Sequence, residues 1–229
     1  MKEENNLLLE GIKALRKSDE EIENLIAPHY EKVISLLNRY IDEIELFNPA
    51  YGLVGAKDTN ELIIKHILDS IAPLGIISRL LDKTLISKNI ADAGSGAGLP
   101  GIPLAIVLNQ YNFSLIERMG RRVGFLLNTK AALALQNVNI EESEVEKASC
   151  GRFNLVTFRA FKPLDEKLLK TLFGLCIPGG IIAAYKGKSE KIKAEMSPLE
   201  MFCDKWEAIP YTVPFLEEER HLLIIWQKK

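Results

Sequence analysis

Cysteine is scarce in this chain of 229 residues, and the three present, Cys150, Cys176 and Cys203, form no Cys-x-x-Cys pair. An odd, widely spaced set argues against both a disulfide framework and a structural zinc site. The cysteines are therefore expected to be small buried hydrophobes, and no metal site is expected. No apolar run approaches about 18 residues, so no transmembrane helix is expected. The opening stretch MKEENNLLLEGIKALRK is short in apolar length and acidic at its start, where a signal peptide would be cationic. Internal repeats and low-complexity tracts are also missing. These absences lead to the expectation of a cytoplasmic protein without membrane association, monomeric by default.

With 47% hydrophobic residues, the chain can bury one main core with an appendage. Its net charge of −2 is unevenly spread. Residues 1–58 hold 7 basic and 12 acidic side chains, and the remainder holds 22 and 19, so an anionic partner should meet the later part.

Residues 19–47 place apolar side chains at helical spacing, with Pro28 dividing two helices. NPAYGLVG (48–55) reads as a loop, and 57–75 as another helix capped by Asp58 or Thr59. This predicts an N-terminal helical region over 1–75. Over 76–229 the rhythm changes. Short β-type runs at 89–94, 112–117, 138–143, 153–160 and 179–187 alternate with helical runs, and two further strands close the chain. Such alternation predicts an α/β fold with a parallel sheet covered on both faces. The closing pair must form a hairpin, so one of its strands runs antiparallel. That is the ordering of a Rossmann-like class I methyltransferase with a mostly parallel seven-stranded sheet and a reversed last strand.

The stretch NIADAGSGAGLPGIPLAIV (89–107) sets four glycines and two prolines between apolar runs. Two readings fit it. Gly96-x-Gly98-x-x-Gly101 satisfies a dinucleotide fingerprint, whereas Asp92-x-Gly94-x-Gly96-x-Gly98 starts one step earlier. A pyrophosphate favours a helix N-terminus, but a carboxylate at Asp92 would repel it. Asp92 suits instead a ligand with an ammonium and a sulfonium, which describes S-adenosylmethionine. Glu117, ending the next strand, would then accept hydrogen bonds from the ribose hydroxyls.

Seven blocks along the chain resemble, in order, those of the RsmG (glucose-inhibited division protein B) family of bacterial 16S rRNA guanine-N7 methyltransferases. They are KHILDS (65–70), DAGSGAGLPGIPLA (92–105), RRVGFL (121–126), SEVEK (143–147), FRAF (158–161), YKG (185–187) and ERHLLII (219–225). The resemblance runs from about residue 20 to the end, and the glycine block with its GLPGIPLA tail is its most specific part. It implies that Gly94 and Leu99 belong to the cofactor loop, that Val145 and Glu146 flank the adenine, and that Arg159 lines the cofactor pocket. Glu117 stands where the family usually has Asp. Arg121 replaces a family lysine, and Glu144 reverses the charge of a common arginine.

Arg121 and Arg122 open a helix, where cations oppose the helix dipole, so they are expected to meet RNA phosphate rather than only solvent. Lys186 and Arg220 sit at the sheet edge where α/β folds bind ligands and are expected to contact the substrate. Lys65 and Asp69 have the spacing of a helical ion pair, and His66 is expected to pack its helix against the sheet rather than catalyse. No Pro-Cys step offers a nucleophile for cytosine-C5 methylation, and no [Asp/Asn]-Pro-Pro-[Tyr/Phe] element supports exocyclic amine methylation. Both absences fit attack by a ring nitrogen without a general base. The alternatives are an RNA-binding protein that keeps the fold without catalysis and, less well supported, an NAD(P)-dependent oxidoreductase.

Overall fold

A computed structural model describes residues 5–81 and 88–228, so the first four residues of the opening stretch lie outside the described part. The strands are β1 (Asn89–Ala93), β2 (Asn112–Glu117), β3 (Val138–Glu142), β4 (Phe153–Arg159), β5 (Cys176–Lys186), β6 (Lys205–Tyr211) and β7 (Arg220–Trp226). They form one sheet in the order β3-β2-β1-β4-β5-β7-β6. The first five are mutually parallel, and β7 runs antiparallel to both β5 and β6. The closing hairpin and its reversed strand are therefore as expected.

Side-chain alternation divides the central strands between two cores. Ile90, Leu155, Ile181, Ala183, Leu222 and Ile224 face one side, whereas Ala91, Val156, Ile182, Ala184, Leu223 and Ile225 face the other. The second face is covered by α9 (Glu166–Leu175) and α10 (Ser189–Met196). The first is covered by α7 (Gly101–Val107), α8 (Gly120–Leu133) and the N-terminal helices.

Those N-terminal helices start from side-chain caps. Asn5 caps α1 (Asn6–Ser18) and Asp19 caps α2 (Glu20–Ile26), each accepting from the backbone N–H two residues on. A 3₁₀ turn at Ala27–His29 contains Pro28 and separates α2 from α3 (Tyr30–Tyr51). The expected loop at 48–55 begins later than expected, because α3 continues through Pro49 to Tyr51. Proline is tolerated there since only the last turn loses a hydrogen bond. Gly52 ends the helix at φ +59°, its N–H donating to the Asn48 carbonyl.

Asp58, rather than Thr59, caps α4 (Thr59–Leu62), which passes through a π-turn at Ile63–Leu68 into α5 (Asp69–Ile71). The next helix, α6 (Leu74–Leu81), spans the division drawn between residues 75 and 76. One apolar cluster runs without a break from Leu8 and Ile12 to Leu222 and Ile224. Among the described residues no helix is long and apolar enough to cross a membrane. The cysteines divide, with Cys176 and Cys203 buried but Cys150 exposed, against the expectation that all three would be enclosed. Chain order reverses between β1 and β4, and open α/β sheets bind ligands beyond the strand ends at such a point.

Candidate active site

The glycine loop leaves β1 with Gly94, Gly96 and Gly98 at φ +69°, +60° and +89°, a region costly for any residue with a Cβ. The three glycines serve different ends. A Cβ on Gly96 would meet nothing closer than Arg122 Nη1 at 3.9 Å, so the backbone there faces open space. A Cβ on Gly94 would strike the Phe161 ring at 2.1 Å. One on Gly98 would strike Ile102 at 2.6 Å, so Gly98 serves core packing. Leu99 is likewise enclosed in the core.

Asp92 is placed differently from the sequence expectation. It is wholly buried beneath the loop, where Oδ2 accepts from Ser95 Oγ at 2.6 Å and from the Gly101 N–H at 2.9 Å. Its short side chain ties the loop together and does not line a cavity. Oδ1 has no partner, and burial pushes the carboxyl up to about 6.

Beside the loop lies a cavity of 190 Å³ whose walls include Gly94, Glu117, Arg122, Val145, Glu146 and Phe161. Glu117 is nearly enclosed, with one oxygen accepting from the Gly96 N–H at 3.0 Å and the other from the Met119 N–H at 2.8 Å. Each carboxylate oxygen accepts more than one hydrogen bond, so both keep capacity for a diol. Val145 gives an apolar wall, and Glu146 is held by Lys162 at 3.0 Å. The backbone N–H of Glu146 itself and the Lys162 ammonium keep that carboxyl below its usual range. Open backbone at Gly96, a diol acceptor and an apolar wall together fit the adenosine end of S-adenosylmethionine.

A larger cleft of 1140 Å³ opens along the ends of β4, β5 and β7 and shares Ala160, Phe161 and Lys162 with the smaller cavity. Ala160 holds φ +50°, an unusual conformation for a residue with a side chain, at the point where the two spaces meet. The cleft floor is an ion-pair network that sequence spacing did not suggest. Asp69, almost fully buried, accepts from Arg159 Nη1 at 3.0 Å and from the Tyr211 hydroxyl at 3.0 Å, and lies 3.4 Å from Arg220 Nε. The carbonyls of Lys65 and His66, both in the π-turn, accept from Arg159 Nη1 at 3.4 and 3.2 Å, and that of His66 also accepts from Ser70 Oγ at 2.6 Å. Lys65 pairs with Glu61 at 2.9 Å, not with Asp69. His66 packs between its helix and Arg159, as expected.

The expected RNA-contacting residues fare unevenly. Arg121 is exposed, with its guanidinium 5.9 Å from the centre of the Tyr51 ring. Arg122 instead turns into the smaller cavity, 3.9 Å from Glu117. Lys186 is held by Glu195 at 2.7 Å, and Arg220 by Glu218 at 2.9 Å in addition to Asp69. Lys188 and Lys191, which line the cleft and are exposed, form no ion pair among the described residues. Sequence reasoning passed over both, because lysines in a polar segment carry no local signal. No cluster of three or more His, Cys, Asp or Glu suited to a metal occurs among the described residues.

Solved structures with this architecture include the CurJ carbon methyltransferase (TM-score 0.60, 12% identity, 90% of this chain and 70% of that one). The tRNA methyltransferase TrmI of Aquifex aeolicus is similar at TM-score 0.53 and 13% identity, over 69% of each chain. The fold is that of class I S-adenosylmethionine-dependent methyltransferases. A ribosomal RNA small subunit methyltransferase G of Treponema denticola is 38% identical, over 96% of this chain and 94% of its own length. Its counterpart in Photobacterium profundum is 33% identical, over 87% and 92%. The family profile described as GidB, rRNA small subunit methyltransferase G, matches residues 33–223. The chain therefore belongs to the rRNA small subunit methyltransferase G family.

Proposed function

We propose that this protein transfers the methyl group of S-adenosylmethionine to N7 of a guanine in 16S small-subunit rRNA. The observation that carries this reading is the meeting of two spaces at residues 160–162, one with a diol-accepting carboxylate and one with exposed cations. When bound, S-adenosylmethionine supplies an electrophilic methyl on a sulfonium. Glu117 would hold its ribose, Val145 and Glu146 would flank its adenine, and the backbone at Gly94 and Gly96 would leave room for it. Arg159, fixed by Asp69, would form the wall between donor and base, while Asp92, Gly98 and Leu99 would keep the loop in shape from beneath.

Guanine N7 carries a lone pair and no proton, so attack on the methyl needs alignment and no general base. The residues fit that requirement. The one imidazole lining the cleft, His66, is driven down to about 4 by burial and by Arg159. Lys186 and Arg220 are held by carboxylates at the cleft edge, where they would bind phosphate rather than cap N7. Arg121, Lys188 and Lys191 would take backbone phosphates. The enzyme would act as a monomer in the cytoplasm, where its substrate is assembled.

Mass-spectrometric mapping of methylated nucleosides tests the reading. Small-subunit rRNA treated with the protein and S-adenosylmethionine should gain 7-methylguanosine at one site. A product lacking it, with binding retained, would leave an RNA-binding protein without this activity.

A further inference from the structure

Among the polar groups lining the large cleft that the reaction above leaves unused is His66. His66 sits in the π-turn and lines the cleft, with Nδ1 3.4 Å from an Nη of Arg159. A guanidinium only donates hydrogen bonds, so Nδ1 is the acceptor and the proton of the neutral ring stands on Nε2. Nε2 has no hydrogen-bond partner among the described residues. Burial and Arg159 keep the ring neutral, with Glu61 and Lys65 on its own helix acting in opposite senses. The flanking donors are engaged: Lys65 with Glu61, Lys186 with Glu195, and Arg220 with Asp69 and Glu218.

We propose that His66 is a specificity-determining residue whose Nε2–H donates to O6 of the target guanine, an assignment that rests on the methylation reading above. Adenine carries an amino donor where guanine carries O6, and it would set one N–H against another. Neutrality also matters for the reaction. As N7 takes the methyl, positive charge moves onto the purine, and a cation beside O6 would oppose it. A neutral imidazole recognises the same oxygen without that penalty.

The test replaces the target guanine with 2-aminopurine, which keeps N7 and lacks O6, and measures single-turnover methylation by wild type, His66→Phe and His66→Gln. Wild type should lose roughly ten- to a hundredfold on 2-aminopurine, the scale of one buried donor left unpaired. His66→Phe should lose a similar factor on guanine and almost nothing further on 2-aminopurine. His66→Gln, which keeps a side-chain N–H, should retain the preference for guanine even if Phe at this position does not fold. Equal loss by His66→Phe on both bases would make His66 structural only and overturn the assignment, as would unchanged turnover of guanine or a lost preference in His66→Gln. Absence of 7-methylguanosine from the wild-type reaction would instead refute the methylation reading itself.

Discussion

Tyr40→Phe removes a single oxygen and tests whether the N-terminal helices set the cofactor loop. Tyr40 lies on α3, fully buried, and its hydroxyl donates to the Ala97 carbonyl at 2.7 Å. Ala97 stands between Gly96 and Gly98, both at positive φ, so this bond fastens the most constrained part of the loop to a distant helix. Phenylalanine keeps the ring packing and leaves the carbonyl enclosed without its donor. An unsatisfied buried group of this kind costs about 1–3 kcal/mol. If the whole cost falls on loop ordering, competent protein becomes scarcer, and a loss of about 1.5 kcal/mol corresponds to roughly tenfold weaker S-adenosylmethionine binding. Calorimetric titration with S-adenosylmethionine, alongside urea unfolding of the free protein, measures both shares. Their sum should fall within that range. Unchanged affinity with unchanged stability would mean that the carbonyl finds another partner. A loss beyond about a hundredfold would exceed what one neutral hydrogen bond supplies and would equally refute the reasoning.

Gly96→Ala should weaken S-adenosylmethionine binding and lose only the ~1–2 kcal/mol that its positive φ costs a residue with a Cβ, whereas Gly98→Ala should lower the unfolding midpoint further, because its Cβ also meets Ile102 rather than open space. Calorimetry and thermal denaturation separate the two. Arg122→Ala should weaken cofactor binding, and Arg121→Ala should leave it intact while reducing the salt slope of RNA binding by ~1. Identical behaviour of the two variants would refute the division of roles drawn from their placement. Asp92→Asn tests the raised carboxyl. Since the folded state holds that proton up to about 6, wild type loses stability as pH rises through about 4 to 6. The variant's stability relative to wild type should therefore improve over that window by a few kcal/mol at most, read from urea unfolding at each pH. Single-turnover methylation should be flat from about pH 6.5 to 8.5, where the cleft imidazole stays neutral, and a log-linear rise would signal proton removal.

The fold was largely legible because its signals are local. Each strand or helix is read from its own short run, and the glycine loop after β1 and Glu117 ending β2 lie within the 29 residues from Asn89 to Glu117. What escaped was built across the chain. Asp69 meets Arg159 and Tyr211, which are 90 and 142 residues away, and nothing in KHILDS announces either partner. Helical spacing pointed to a Lys65–Asp69 pair, and the π-turn at 63–68 shifts the two out of step. Asp92 was misjudged for a related reason. Sequence position puts a carboxylate beside the loop, but only packing decides that it turns under the loop and is enclosed. Lys186 and Arg220 line the cleft at that sheet edge, yet of the carboxylates holding them only Glu218 is a near neighbour in sequence, and Glu195 and Asp69 come from other turns of the chain.

The position of β7 has a consequence for how the protein is made. Residues 220–226 are inserted between β5 and β6, and Leu222 and Ile224 close the same core that holds Leu8 and Ile12. At about 5–20 residues per second, a ribosome needs roughly 10–40 s to travel from α1 to β7. Through that interval the apolar faces of the N-terminal helices lack part of their final cover, and β5, once made, presents an open edge until β7 follows. The nascent chain should therefore engage chaperones throughout its synthesis, and a stop codon a few residues before β7 should yield aggregate rather than a smaller folded enzyme.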